Sequence, residues 1–258
     1  MTPTGPPEPT HLRLGSSHCA NLLPTADELA EAAAEADRLA LTLELATPPV
    51  GDAELGRVLE LLASLRRRPT PARVVVNDLG VLGSAASVPQ CFLIVAGRLI
   101  NHQMKDPRLP AVDRSRLGRW PPAWGLGSAT SASWVALMRH LGVVGAELDW
   151  PAHGLDEAAW AAVDLPLVLH LPWVLVASGR TCISRDPRGP VDRDINGEAC
   201  AFDCRSGSLE LDGEGAGRRV RRGNADLLRL PAATVQQAQT WAAAAGVRVL
   251  WNDREAAP

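Results

Sequence analysis

Between Ser178 and Arg205 the chain reads SGRTCISRDPRGPVDRDINGEACAFDCR, which holds three of its five cysteines, Cys182, Cys200 and Cys204, and little that could build a core. Pro187, Gly189, Pro190 and Gly197 break any long helix or strand between the first two. Ordering so polar a loop costs backbone entropy that apolar burial cannot repay here. Three thiolates converging on a metal centre would supply the missing stabilisation. Thiolates select thiophilic centres, iron–sulfur clusters and zinc above all. The C-x17-C-x3-C spacing lacks the C-x2-C knuckle frequent in structural zinc sites, which ranks a cluster ahead of zinc.

Three thiolates leave one ligand to find. The apolar runs along the chain alternate with helical patterns. Strands are expected at 11–15, 39–45, 73–76, 91–96, 143–148, 165–170, 227–230 and 247–251. Helices are expected at 26–37 (opened by a Thr25–Glu28 capping box), 51–68, 131–141, 156–163 and 233–244. A Gly-rich turn between 209–211 and 218–222 reads as a hairpin. About eight strand–helix units in 258 residues suit a TIM-like (β/α)8 barrel of roughly 250 residues, with the cysteine loop and hairpin after strand six. No G-x-G-x-x-G follows a strand, which ranks a doubly wound sheet second. The expected organisation is a tail over residues 1–10 and one barrel over 11–258.

Functional groups of such barrels sit at the C-terminal ends of the strands. That rule gathers Ser16 to Cys19, Asn77, Asp78, Asn101, His102, Glu147, Asp149 and His170 on one rim. Cys19 follows the first strand and is the best fourth ligand, with His18 and His170 as substitutes. Cys91 opens the fourth strand, at the opposite face, and reads as core. Asn77, Asp78, Asn101, His102 and Glu147 are the candidates for the substrate end. Asp78 equally reads as a helix cap and His102 as a surface histidine. Arg98, Lys105 and the arginines at 218–222 read as solvated charge or as clamps for a small carboxylate. No H-E-x-x-H or Ser-His-Asp pattern supports proteolysis.

Composition sets outer bounds. A net charge of -3 argues against a nucleic-acid coat. No window is long and apolar enough to span a bilayer. The first ten residues, MTPTGPPEPT, lack the charged and apolar regions of a secretory signal. A cytoplasmic location with reduced thiols is therefore expected.

VVVNDLGVL (Val74 to Leu82), VAGRLIN (Val95 to Asn101) and LPWVLVASGRTCISR followed by EACAFDC together resemble the U-thirty-two peptidase family. These collagenase-like barrel proteins include many that are not peptidases. The likeness spans most of Arg73 to Leu230 and is strongest to the family's ubiquinone-biosynthesis members. It implies an oxygen-sensitive [4Fe–4S] cluster and oxygen-independent hydroxylation of a small or aromatic substrate. It also implies prephenate as oxygen donor and a related sister subunit as partner in a heterodimer. Cys182, Cys200 and Cys204 match the last three ligands of the family pattern. The pattern's first ligand follows the second strand, where this chain has Ala46-Thr47-Pro48, so Cys19 substitutes from the neighbouring strand. The other readings are a non-catalytic iron–sulfur subunit that positions another enzyme, and a zinc-stabilised barrel or peptidase-like hydrolase.

Overall fold

The computed structural model describes residues 9–88, 91–112, 123–180, 182–184, 200–211 and 217–252. Its elements run β1 (His11–Gly15), α1 (Ala26–Arg38), β2 (Thr42–Thr47), α2 (Asp52–Leu65), β3 (Ala72–Val76), α3 (Leu79–Ala86) and β4 (Phe92–Ala96). After a long connection come α4 (Ala132–His140), β5 (Val143–Asp149), α5 (Glu157–Ala161), β6 (Leu167–Leu171) and β7 (Trp173–Ser178). The chain closes with β8 (Leu209–Leu211), β9 (Arg218–Arg222), β10 (Ala225–Arg229), α6 (Ala232–Ala244) and β11 (Arg248–Trp251).

Seven strands form one parallel sheet in the order β1-β2-β3-β4-β5-β6-β11. It is curled into a half-barrel, as side chains that meet across its hollow demonstrate. Arg13 on β1 ion-pairs with Glu147 on β5, although four strand spacings of ~4.8 Å would hold them roughly 19 Å apart in a flat sheet. Arg248 on β11 reaches Glu44 on β2 at 3.1 Å, across five spacings.

Strand alternation sorts the side chains into two environments. Leu43, Leu45, Val74, Val76, Leu148 and Leu169 point outward into the main core, which they share with Leu29 of α1, Val58 and Leu61 of α2 and Trp241 of α6. Each such side chain contributes about 1.5–3 kcal/mol by leaving water. The alternate positions turn into the hollow: Ala46, Val75 and Val95 form a small patch of their own, beside the charged Arg13, Glu44 and Glu147. Helix starts follow local chemistry. Thr25 and Glu28 form the expected reciprocal capping box, and the Asp78 carboxylate accepts from the Gly80 and Val81 amides to open α3.

The expected eight-stranded closure is not what the described residues form. The strand expected at 227–230 is β10, which lies antiparallel between β7 and β9 in a separate four-stranded sheet of order β7-β10-β9-β8. β7 itself was not expected. A cis peptide bond joins Leu171 and Pro172 directly after β6, and WVLVAS beyond it starts the second sheet. The 209–211 and 218–222 segments pair antiparallel, as a hairpin requires. Val174 and Leu228 of the second sheet join the main core, which ties the two sheets together. The expected tail lies almost wholly outside the described residues, as does most of the cysteine loop, 185–199. Among the described residues no helix is long and apolar enough to cross a membrane.

Candidate metal centre

Four of the five cysteines meet. Cys19, Cys182, Cys200 and Cys204 all line one cavity of about 720 Å³ at the C-terminal mouth of the half-barrel. The loop after β1 supplies the first, the segment after β7 the second, and the last two come from the stretch before β8, with Cys204 in a single helical turn at Asp203–Arg205 and Cys200 just ahead of it. Cys19, Cys182 and Cys204 are buried, and Cys19 packs directly on Cys182. Cys91 stands apart at the start of β4, half-buried against the main core as expected.

The turn between β9 and β10 organises this convergence. Gly223 adopts φ +60°, a left-handed conformation that favours glycine. A Cβ there would stand 3.6 Å from Cys204 Sγ and 3.8 Å from Cys182 Sγ, so the missing side chain keeps the space beside both sulfurs open. The Ile183 amide donates to the Gly223 carbonyl at 3.1 Å, holding the Cys182 segment. Arg222 Nε donates to the Cys204 carbonyl at 2.5 Å. Asn224 Nδ2 donates to the carbonyls of His18 at 2.6 Å and Gly179 at 2.8 Å. On the far side, Ser16 Oγ accepts from the His18 and Cys19 amides, which shapes the turn that presents Cys19.

Burial, reinforced by the neighbouring Cys204 and Cys182, pushes the Cys19 thiol up to about 11. Burial also raises Cys204, with Cys182 and Cys200 adding to the effect. Crowded thiols resist ionising beside one another, and a cation among them reverses that preference. Among the described residues no three His, Cys, Asp or Glu side chains stand close enough to grip a single metal ion.

The opposite wall of the cavity comes from the two edge strands of the half-barrel: His11, Arg13 and Gly15 of β1, and Leu250 and Trp251 of β11. His18, Arg205 and Arg222 also line it, and among the described lining residues there is no carboxylate. Behind this wall lies a buried charge network. Arg13 Nη1 contacts both Glu44, at 2.8 Å, and Glu147. Glu147 Oε2 lies 3.1 Å from His170 Nε2. Arg73 and Arg248 reach Glu44 from the other side at 3.2 and 3.1 Å. Burial alone would raise Glu147, but Arg13 and His170 outweigh it and hold the carboxyl well below its ordinary range. Glu44 is likewise lowered, with Arg13, Arg248 and Arg73 overcoming burial and the nearby Glu147.

The expected substrate-end residues divide by what they touch. Asn77 donates to the Thr47 carbonyl and accepts from the Leu99 amide. Asn101 donates to the Glu147 carbonyl and accepts from the Ala129 amide. Asp78 caps α3, and His102 is exposed. Asn77 and Asn101 stitch loops to strand ends, and none of the four lines the cysteine cavity. Glu147 does not line it either but grips Arg13, which does. Asp149 forms a second buried cluster, with Arg98 at 3.0 Å and Lys105 at 2.8 Å. His18 lines the cavity, and His170 sits behind it with its Nδ1 3.4 Å from Asn252 Nδ2.

Sequence reasoning passed over His11, Arg13, Glu44, Arg73 and Arg248. The signal was present: HLRLG and LTLELA alternate polar with apolar, whereas strands of a helix-covered barrel with a packed interior read as continuous apolar runs. Asn224 and Gly223 carried only the mark of a turn. No family model matches this chain, and no curated protein matches it.

Proposed function

We propose that the chain is an iron–sulfur protein of the U-thirty-two type, holding a [4Fe–4S] cluster through Cys19, Cys182, Cys200 and Cys204. The observation that carries this reading is the convergence of four cysteines, from three separated segments, on one cavity. Four thiol donors are the ligand count that a [4Fe–4S] cluster takes.

When bound, the cluster would supply redox or Lewis-acid chemistry at the mouth. This chain's own residues would do the rest. Arg13, clamped by Glu44 and Glu147, offers a fixed guanidinium to a substrate anion. Arg205 and Arg222 add positive charge, His11 and His18 offer ring nitrogens, and Leu22, Phe202, Leu250 and Trp251 supply apolar surface for a ring or short carbon skeleton. A small organic anion such as prephenate, the oxygen donor that the resemblance implies, suits this lining. The activity proposed is therefore oxygen-independent hydroxylation, in a heterodimer with a related sister subunit.

Anaerobic purification followed by iron, acid-labile sulfide and zinc analysis tests the reading. About four irons and four sulfides per chain, as a [4Fe–4S] cluster requires, are expected. Zinc without sulfide would overturn it and leave a zinc-stabilised barrel.

A further inference from the structure

We propose that Asn224 is the latch that makes Cys19 a cluster ligand, an inference that rests on the iron–sulfur reading above. The four cysteines come from segments attached to two different sheets. Cys182, Cys200 and Cys204 lie on the side of the second sheet, where the β9–β10 turn gathers them. The Ile183 amide bonds to Gly223, and Arg222 bonds to the Cys204 carbonyl. Cys19 comes from the loop that follows β1 of the half-barrel. Asn224 spans the two. It is buried, and its amide nitrogen divides between the His18 carbonyl, one residue before Cys19, and the Gly179 carbonyl, three residues before Cys182. Its own carbonyl accepts from the Gly179 amide at 3.0 Å, which fixes the residue to the second sheet. One primary amide thus sets the spacing between the two cysteine-bearing segments. Asparagine suits the task because its NH2 offers two donors from one planar group.

The latch also accounts for how a cysteine after β1 can serve where the resemblance places a ligand after β2. Gly15, at φ +81°, lets the chain turn sharply off β1: a Cβ there would sit 2.1 Å from the Ala46 carbonyl oxygen. Ser16 Oγ then closes the turn on the Cys19 amide, and Asn224 fastens that turn to the hairpin. Asn224 is a positioning residue, since it acts on the cluster through Cys19.

The test compares Asn224→Asp, which keeps the shape but removes both donors, with Asn224→Ala, Cys19→Ala and wild type, all purified anaerobically. Cys19→Ala should lose one iron corner and give the EPR signal of a three-iron cluster after mild oxidation. Asn224→Asp should reproduce that signature with Cys19 still present. It should release iron to a chelator about tenfold faster than wild type, the ratio expected for the loss of one buried, bridging donor. In the double variant Cys19→Ala/Asn224→Ala, release should be no faster than in Cys19→Ala alone, because the latch then has nothing to hold. Additive effects in the double variant would overturn the proposal, as would a four-iron spectrum and unchanged release in Asn224→Asp. Should the Asn224 variants not fold, hydrogen exchange on wild type decides. Loading iron and sulfide should protect 18–22 and 223–225 together, and protection of the hairpin alone refutes the latch. A wild type without iron and sulfide would refute the cluster reading and the latch with it, whereas a wild-type cluster indifferent to Asn224 refutes the latch only.

Discussion

Replacing Glu147 with glutamine should destabilise the fold by about 3 kcal/mol, and the loss should fade in acid. Glu147 is fully buried and is the carboxylate that His170 and Arg13 share inside the half-barrel. Removing one partner of a buried ion pair costs about 3–5 kcal/mol, because the other charge stays behind without compensation. The low end applies here: Arg13 keeps Glu44 at 2.8 Å, and Glu44 is relieved of a like-charged neighbour. The pH dependence follows from the direction of the shift. The folded-state carboxyl lies well below its ordinary value, so its stabilisation is complete above the unfolded value near ~4.3 and is lost as pH falls through the folded value. Urea unfolding of wild type and Glu147→Gln at pH 7 should therefore differ by about 3 kcal/mol, or roughly 6–12 °C in Tm for a domain of this size. The difference should shrink steadily below about pH 4. A difference under about 1 kcal/mol at pH 7, or one that stays constant into acid, would refute the view that this carboxylate is the keystone of the network.

Three further outcomes follow from other parts of the molecule. Asp78→Ala should cost about 1 kcal/mol in chemical unfolding through loss of the α3 cap, while leaving any iron content unchanged, since Asp78 accepts from the Gly80 and Val81 amides and, at 3.5 Å, from the Val50 amide, and does not line the cavity. Gly15→Ala should prevent stable folding or displace Cys19, because the added methyl meets the Ala46 carbonyl oxygen at 2.1 Å under a left-handed backbone; a variant with wild-type Tm and metal content would contradict this. In metal-free protein, Cys19, with its thiol near 11, should have about one thiol in a thousand ionised at pH 8. Its alkylation, followed by peptide mass spectrometry, should accelerate about tenfold per pH unit up to pH ~10; a rate already level at pH 8 would contradict the burial argument.

The cysteine convergence could be read from the sequence because its signal is chemical: three thiols in a segment with no other means of ordering itself, and a fourth at a strand end. Cys19, Cys182, Cys200 and Cys204 do line one cavity. The order of strands and helices through β6 was legible from apolar periodicity, apart from α3, which only its Asp78 cap foreshadowed. After β6 the hairpin, α6 and β11 were legible, but β7 and the pairing of β10 were not. WVLVAS and ADLLRL have the same local pattern whether they extend a parallel barrel or pair antiparallel beside it, and here Ala225–Arg229 pairs with β7 and β9. Pairing partners are a long-range property, and a short run does not encode them. The substrate-end candidates illustrate another limit. The rim rule located Asn77 and Asn101 correctly at strand ends, but amides there serve equally to satisfy the backbone groups of long loops, and both are occupied in that way. The charged hollow escaped notice because Arg13, Glu44, Arg73 and Arg248 each look like an ordinary outward-facing polar residue. Only the curl of the sheet turns them toward one another.

The central claim is that four particular cysteines act as one ligand set, and iron and sulfide analysis across five single variants tests it most directly. Cys19→Ala, Cys182→Ala, Cys200→Ala and Cys204→Ala should each lower or abolish the cluster of anaerobically prepared protein, while Cys91→Ala, remote from the cavity and packed against the main core, should retain it in full. Loss of the cluster in Cys91→Ala, or full retention in any of Cys19→Ala, Cys182→Ala, Cys200→Ala and Cys204→Ala, would contradict the account.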